Sequence, residues 1–243
     1  MWDNRYRRQI LVKEFGKEAQ EILSIKHVAL IGGGGLGSHS AELLVRMGIG
    51  GITIIDNDVV DETNLHRTSL FTEEDLGNPK AMVLQQKLQA VNSEVQVEGI
   101  RRVVIRENIE ALVRGVDVIL DGTDSLQLRF LLNDVSIKHD IPWVYAGVCD
   151  TVGMTMGIVP KKTPCLQCIS QELSEQPAAE TPVLGTLPAT IAAIQCNEAI
   201  KLLLGRPLAG LIIYDVWNQC FEIMNIKRNP VCPACVKAKW KVL

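Results

Sequence analysis

Four of the seven cysteines form two C-x-x-C pairs, Cys165/Cys168 and Cys232/Cys235. Two such pairs suit four thiolates on one tetrahedral Zn2+, each pair giving the ion two sulfurs. One pair alone would fit a redox dithiol, and a redox or disulfide pair stays open beside zinc. A four-cysteine site keeps no open coordination position, so it predicts a structural metal without chemistry at the ion. A second grouping is built on glycine. Gly32, Gly34 and Gly37 read G-x-G-x-x-G, directly after an apolar run and ahead of a helical pattern. Glycines there permit a tight turn and let backbone amides approach a phosphate, which the helix N-terminus stabilises. Asp56 suits a hydrogen bond to a ribose hydroxyl. A glycine-rich structural turn, or an NAD or FAD site, would read the same way.

The charges that follow argue for a different nucleotide. Asp58, Asn64, Arg67 and Lys80 lie within one βα unit, and Asp121 and Asp124 end a later strand. A dinucleotide needs few of these, because loop amides already hold its pyrophosphate. Cations beside a carboxylate suit a triphosphate with Mg2+. Taken singly, Asn64 could close a turn, Arg67 and Lys80 could be solvated, and Asp124 could cap a helix. Their grouping carries more than any one member.

The elements that must position them alternate. Strand patterns at 27–31, 52–56, 95–100, 116–121 and 141–148 are interleaved with helical patterns at 38–48, 79–91, 107–113 and 125–138. Such alternation predicts an α/β fold with a Rossmann-like, mostly parallel sheet. A long apolar helix over 186–205 and two strands at 211–216 and 220–226 predict an antiparallel C-terminal extension. The whole chain, 1–243, reads as one domain with an N-terminal helical arm at 1–24 and a polar, mobile loop at 170–184.

With 25 Lys and Arg against 28 Asp and Glu, the formal charge is −3, which excludes a nucleic-acid binder working by bulk positive charge. An apolar share of 47% excludes a disordered tail. The charge-free stretch at 181–197 contains Pro182, Pro188 and Gln195, so no membrane span is predicted. The N-terminus has cations without an apolar run of signal length behind them, which predicts a cytoplasmic protein. Thiols stay reduced there, which favours metal or catalysis over disulfides.

The segments RYRRQIL, GGGGLGS, DNDVVDETNLHR, NPK and LDGTDS stand in the order and spacing of the ThiF/MoeB/HesA family, which the chain resembles from about Arg5 to Cys235. Its members resemble the adenylation domains of ubiquitin-activating enzymes. The resemblance implies ATP-dependent adenylation of the C-terminal glycine carboxylate of a small ubiquitin-like sulfur-carrier protein, with release of pyrophosphate. It implies that Asp56 holds the ribose, with Gly35 and its neighbours Gly32, Gly34 and Gly37 beneath the nucleotide. Asn64, Arg67 and Lys80 would bind phosphates and Asp124 would hold Mg2+, with Asp58, Leu65 and Ser125 also among the cofactor-binding residues. Arg8 would reach a γ-phosphate in the other subunit of a homodimer. Family members commonly carry the same cysteine knuckles. Thr68 and Ser125 replace the glutamine and asparagine that often follow Arg67 and Asp124.

Cys196, on the apolar helix, and Cys220, opening a late strand, are expected to be buried core thiols. Cys149 follows a strand's C-terminal end, where a rim or core role is expected. Some family members carry a loop cysteine that captures the activated carboxylate. Residues 169–195 contain no cysteine, and Thr181 stands in that region. A hydroxyl is a poor substitute for a thiolate, so the chain is expected to stop at the acyl-adenylate and pass it to the sulfur of another protein. An NAD-dependent oxidoreductase and a non-catalytic nucleotide-binding scaffold are the competing readings.

Overall fold

A computed structural model describes residues 4–169 and 181–243. The predicted arm forms two short helices, α1 (Arg7–Ile10) and α2 (Gly16–Leu23), which lead into β1 (His27–Ile31). Then come α3 (Gly35–Met47), β2 (Gly51–Ile55), α4 (Lys80–Val91), β3 (Gln96–Ile100), α5 (Ile109–Leu112), β4 (Val118–Asp121), α6 (Leu126–His139) and β5 (Trp143–Cys149). The chain finishes with β6 (Val152–Ile158), α7 (Leu166–Ile169), α8 (Thr186–Leu203), β7 (Leu211–Asp215) and β8 (Cys220–Met224). One eight-stranded sheet results, in the order β3-β2-β1-β4-β5-β6-β7-β8. Its first five strands pair in parallel and its last three antiparallel. Among the described residues no helix is long and apolar enough to cross a membrane. Residues 170–180 of the expected mobile loop lie outside the described residues.

Side chains alternate across a strand, and each face of this sheet has its own core. Val28 and Leu30 of β1, with Ile52, Ile54, Val118 and Leu120, pack against α3, α4 and α8. Ala29 and Ile31, with Ile119, Trp143 and Tyr145, pack against α5 and α6 and run on to Cys165 and Cys232. Burial on both faces explains why these strands read as unbroken apolar runs. Helix α3 begins at Gly35, inside the glycine turn and ahead of its expected start at 38.

Strand β6 has no counterpart among the predicted elements. Its sequence, VGMTMGI, carries two glycines, which weaken a strand signal. Both are packing requirements. A Cβ at Gly153 would lie 2.2 Å from Ile191 Cγ1, and one at Gly157 2.7 Å from Leu208 Cδ1. The chain reverses into β6 at Asp150, whose φ of 56° is left-handed.

Cys196 is buried as expected, but Cys220 is exposed. It opens β8, the last strand of the sheet, which among the described residues pairs only with β7 and is exposed at every residue. An apolar pattern does not distinguish a core strand from an uncovered edge.

Helix α8 buries a polar knot at Gln195. Gln195 Nε2 donates to the carbonyls of Asp121 (2.8 Å) and Val144 (3.1 Å), and its Oε1 accepts from Ser40 Oγ at 2.9 Å. One amide therefore ties α8 to β4, β5 and α3. Gln195→Leu keeps the volume but strands two buried carbonyls and a hydroxyl, an expected loss of about 2 kcal/mol. A thermal melt should register it as a drop of roughly 4–8 °C; an unchanged melting temperature contradicts this role.

Candidate active site

The glycine turn is shaped by backbone contact. Gly32 has φ of 93°, and its carbonyl oxygen lies 1.9 Å from where a Cβ on Gly37 would sit and 2.3 Å from one on Gly122. The end of β1, the first turn of α3 and the end of β4 thus touch with no side chain between them. Gly34 differs, since a Cβ there would meet nothing within 4 Å. Its vacant side faces a cavity of about 480 Å3 over the ends of the parallel strands. The α3 N-terminus, with its unpaired amides, opens into the same space.

Gly32, Gly34, Gly35, Asp56, Asp58, Asn64, Arg67, Lys80 and Asp124 all line this cavity. A second cavity of about 550 Å3, floored by Pro142, Met156 and Leu208, contains none of them. Asp56 Oδ2 accepts from Gly33 N–H at 2.6 Å and Oδ1 from Asp58 N–H at 2.7 Å. Burial pushes its carboxyl above the usual range, and those amides together with Lys80 oppose the rise. Both oxygens are fixed in place, with lone pairs left for a ligand hydroxyl. Lys80 is nearly buried and reaches Asp58 Oδ2 at 3.2 Å. Asn64 Oδ1 is buried without a hydrogen-bond partner, which is costly unless a ligand satisfies it.

Several expected residues do not line the cavity. Gly37 serves the backbone contact just described. Leu65 packs against the core, and Ser125 Oγ accepts from Leu128 N–H at 3.2 Å as the N-cap of α6. Arg8 is exposed on α1. The neighbouring Arg5 donates to Val91 O, at the opposite end of α4 from Lys80, and twelve helical residues span about 18 Å.

Arg129 is a lining residue that the sequence analysis did not single out. Its Nε lies 3.1 Å from the fully buried Asp121 Oδ2, its Nη2 donates to Thr123 O at 2.6 Å, and its guanidinium stacks 5.5 Å from the Tyr145 ring centroid. Burial drives the Asp121 carboxyl upward, and Arg129 holds it down. The available signal was its place one helical turn after the α6 cap, which turns the side chain back over the preceding strand. Cys149, Thr181 and Val183 complete the rim.

The four paired cysteines converge apart from this cavity. Their sulfurs all lie within 4.8 Å of one another, with Cys165–Cys232 and Cys168–Cys235 at 3.6 Å and Cys165–Cys168 at 3.8 Å. Four thiolates about 2.3 Å from one Zn2+ would stand about 3.8 Å apart. Burial, reinforced by the neighbouring sulfurs, pushes Cys165 well up, and Cys235 is pushed up to about 11. Cys168 moves the other way: burial opposes it, but hydrogen bonds with the Asn229 and Cys165 backbone and with the neighbouring thiols lower it. Cys165 and Cys235 thus resist ionising until a cation sits among the four sulfurs, and the donor set fits a soft divalent metal.

Known proteins share this sequence and fold. The chain is 37% identical over 239 residues to the SAMP-activating enzyme E1 of Haloferax volcanii, covering 96% of this chain and 88% of that protein. It is 35% identical to the sulfur carrier protein adenylyltransferase of Thermus thermophilus (96% and 90% covered) and 30% identical to the molybdopterin-synthase adenylyltransferase of Escherichia coli (95% of each). The crystal structure of E. coli MccB with ATP superposes with a TM-score of 0.86 at 28% identity, over 96% of this chain and 75% of that one. Residues 6–234 match the ThiF family description, and the chain belongs to that family.

Proposed function

We propose that the chain is a single adenylation domain that transfers AMP from ATP to the C-terminal glycine carboxylate of a small ubiquitin-like sulfur-carrier protein. The observation that carries this reading is the cavity itself: an open glycine cradle, an oriented Asp56, and the cations Lys80 and Arg67 around one space. A carboxylate oxygen attacks the α-phosphorus while the bond from that phosphorus to the α–β bridging oxygen breaks, and pyrophosphate leaves with the electron pair. Negative groups repel on both sides of this step, so fixed cations and oriented partners lower the barrier. Asp56 takes the ribose, Asn64 a phosphate oxygen, and Lys80 and Arg67 the charge that builds on the leaving group. A hydride-transferring site would have little use for the buried Lys80.

Asp124 offers a hard carboxylate oxygen at the cavity, which fits Mg2+. The ion, when bound, neutralises phosphate charge. Arg8 does not line its own cavity, and in this reading it acts from a second copy of the chain in a homodimer. The paired cysteines hold Zn2+ as a structural ion. With no cysteine between 169 and 195, the acyl-adenylate passes to the sulfur of another protein.

The deciding experiment is ATP–pyrophosphate exchange stimulated by a carrier ending in Gly-Gly. Lys80→Gln should reduce the exchange rate by about 10²-fold, and a carrier-independent or Mg2+-independent signal contradicts adenylation. Cys149→Ser and Thr181→Ala should each retain exchange within about twofold, and a thioester trapped on Cys149 would overturn the proposed hand-over. Elemental analysis should find one zinc per chain, and Cys232→Ser should lose it with a melting temperature roughly 10 °C lower; an unaltered melt contradicts a structural metal.

A further inference from the structure

We infer that His66 and His39 form a clamp that presets Arg67 for the phosphates, His66 holding the guanidinium and His39 the backbone. This rests on Arg67 acting on phosphate, as proposed above. Arg67 Nη1 lies 2.8 Å from His66 Nε2 and donates to Thr63 O at 2.6 Å. A guanidinium only donates hydrogen bonds, so Nε2 of His66 must present a lone pair, and its proton is on Nδ1.

The other half of the clamp has the opposite polarity. His39 Nε2 lies 3.2 Å from the Arg67 carbonyl, which only accepts, so this nitrogen carries the proton. His39 sits on α3 one turn from Glu42, whose carboxylate is taken up by Ser69 and Arg46. Burial holds the His39 ring below the ordinary histidine value, in keeping with a neutral donor. The two rings thus fix both ends of the arginine through opposite tautomers.

Packing places the clamp in register with the rest of the site. A Cβ at Gly185, just before α8, would fall 2.7 Å from the His66 carbonyl and 3.3 Å from Nδ1. A Cβ at Gly35 would be 3.6 Å from Arg67 Cδ, so the arginine stem lies over the glycine cradle. Arginine otherwise loses much rotamer freedom on binding phosphate. A side chain held beforehand has less freedom to lose.

The test is a double-substitution cycle read by calorimetric ATP affinity, with no carrier present. His66→Gln keeps an acceptor at the position of Nε2, whereas His66→Asn is too short and His66→Phe has none. The expected result is ATP affinity within twofold for H66Q and weaker by about fivefold for H66N and H66F. In an Arg67→Ala background the same three substitutions should change nothing further. Equal losses in both backgrounds, an H66Q as weak as H66F, or an H66F with unchanged affinity overturns the clamp. Should H66F melt early, the contrast between H66Q and H66N decides. An unsubstituted chain that binds no ATP overturns the adenylation reading and the clamp together, whereas carrier-dependent exchange unaffected by H66F removes only the clamp.

Discussion

The contact of three glycine backbones, at Gly32, Gly37 and Gly122, is the constraint on which the site depends. The Gly32 carbonyl fills the space that a Cβ on either of the others would need. Because nothing intervenes, α3 starts directly off the end of β1 and its first amides face the space above β1 and β4. A wider turn would carry the helix N-terminus away from that space, and Asp56 would lose the Gly33 amide that orients it. The helix dipole facing the cavity, the aspartate and the cavity floor therefore share one steric origin.

Charge in this site is held in pairs of unequal burial. Asp121 and Arg129 are enclosed beneath the cavity, and such a pair contributes position more surely than stability. In the pair of Asp58 and Lys80 at the same space, the lysine is buried and only Asp58 is largely exposed. A polyanion can take over Lys80 at little cost, because water readily solvates the aspartate it leaves. The inner pair shapes the floor, and the outer one remains available to exchange partners.

Features that rest on backbone geometry or covalent spacing were legible in the sequence. The glycine turn, the parallel strands and the cysteine pairs each follow from a rule that tolerates few alternatives. Arg129 was hidden because its role depends on which way a helix face turns, which only its spacing of one turn from the Ser125 cap hints at. Strand β6 was hidden because its glycines answer to Ile191 and Leu208, which lie far away in sequence. Cys220 misled for the opposite reason: β8 has a core-like pattern but, among the described residues, no layer over it. The positions of Leu65 and Ser125 follow from local packing and capping, which motif membership does not encode.

The cysteine cluster has a consequence for the unfolded chain. An ion shared by Cys168 and Cys232 would close residues 169–231 into a ring, within which lie α8, with its Gln195 knot, and the β7–β8 hairpin. If the ion stayed bound as the core opened, these elements could not diffuse freely from the sheet. The chain-entropy treatment of a cross-link puts such a restriction on the order of 4 kcal/mol. Helix α8, which packs into the core it shares with α3 and α4 and lines the cavity at Pro188, would then rejoin the sheet from a tethered state in which the search for its partners is already short.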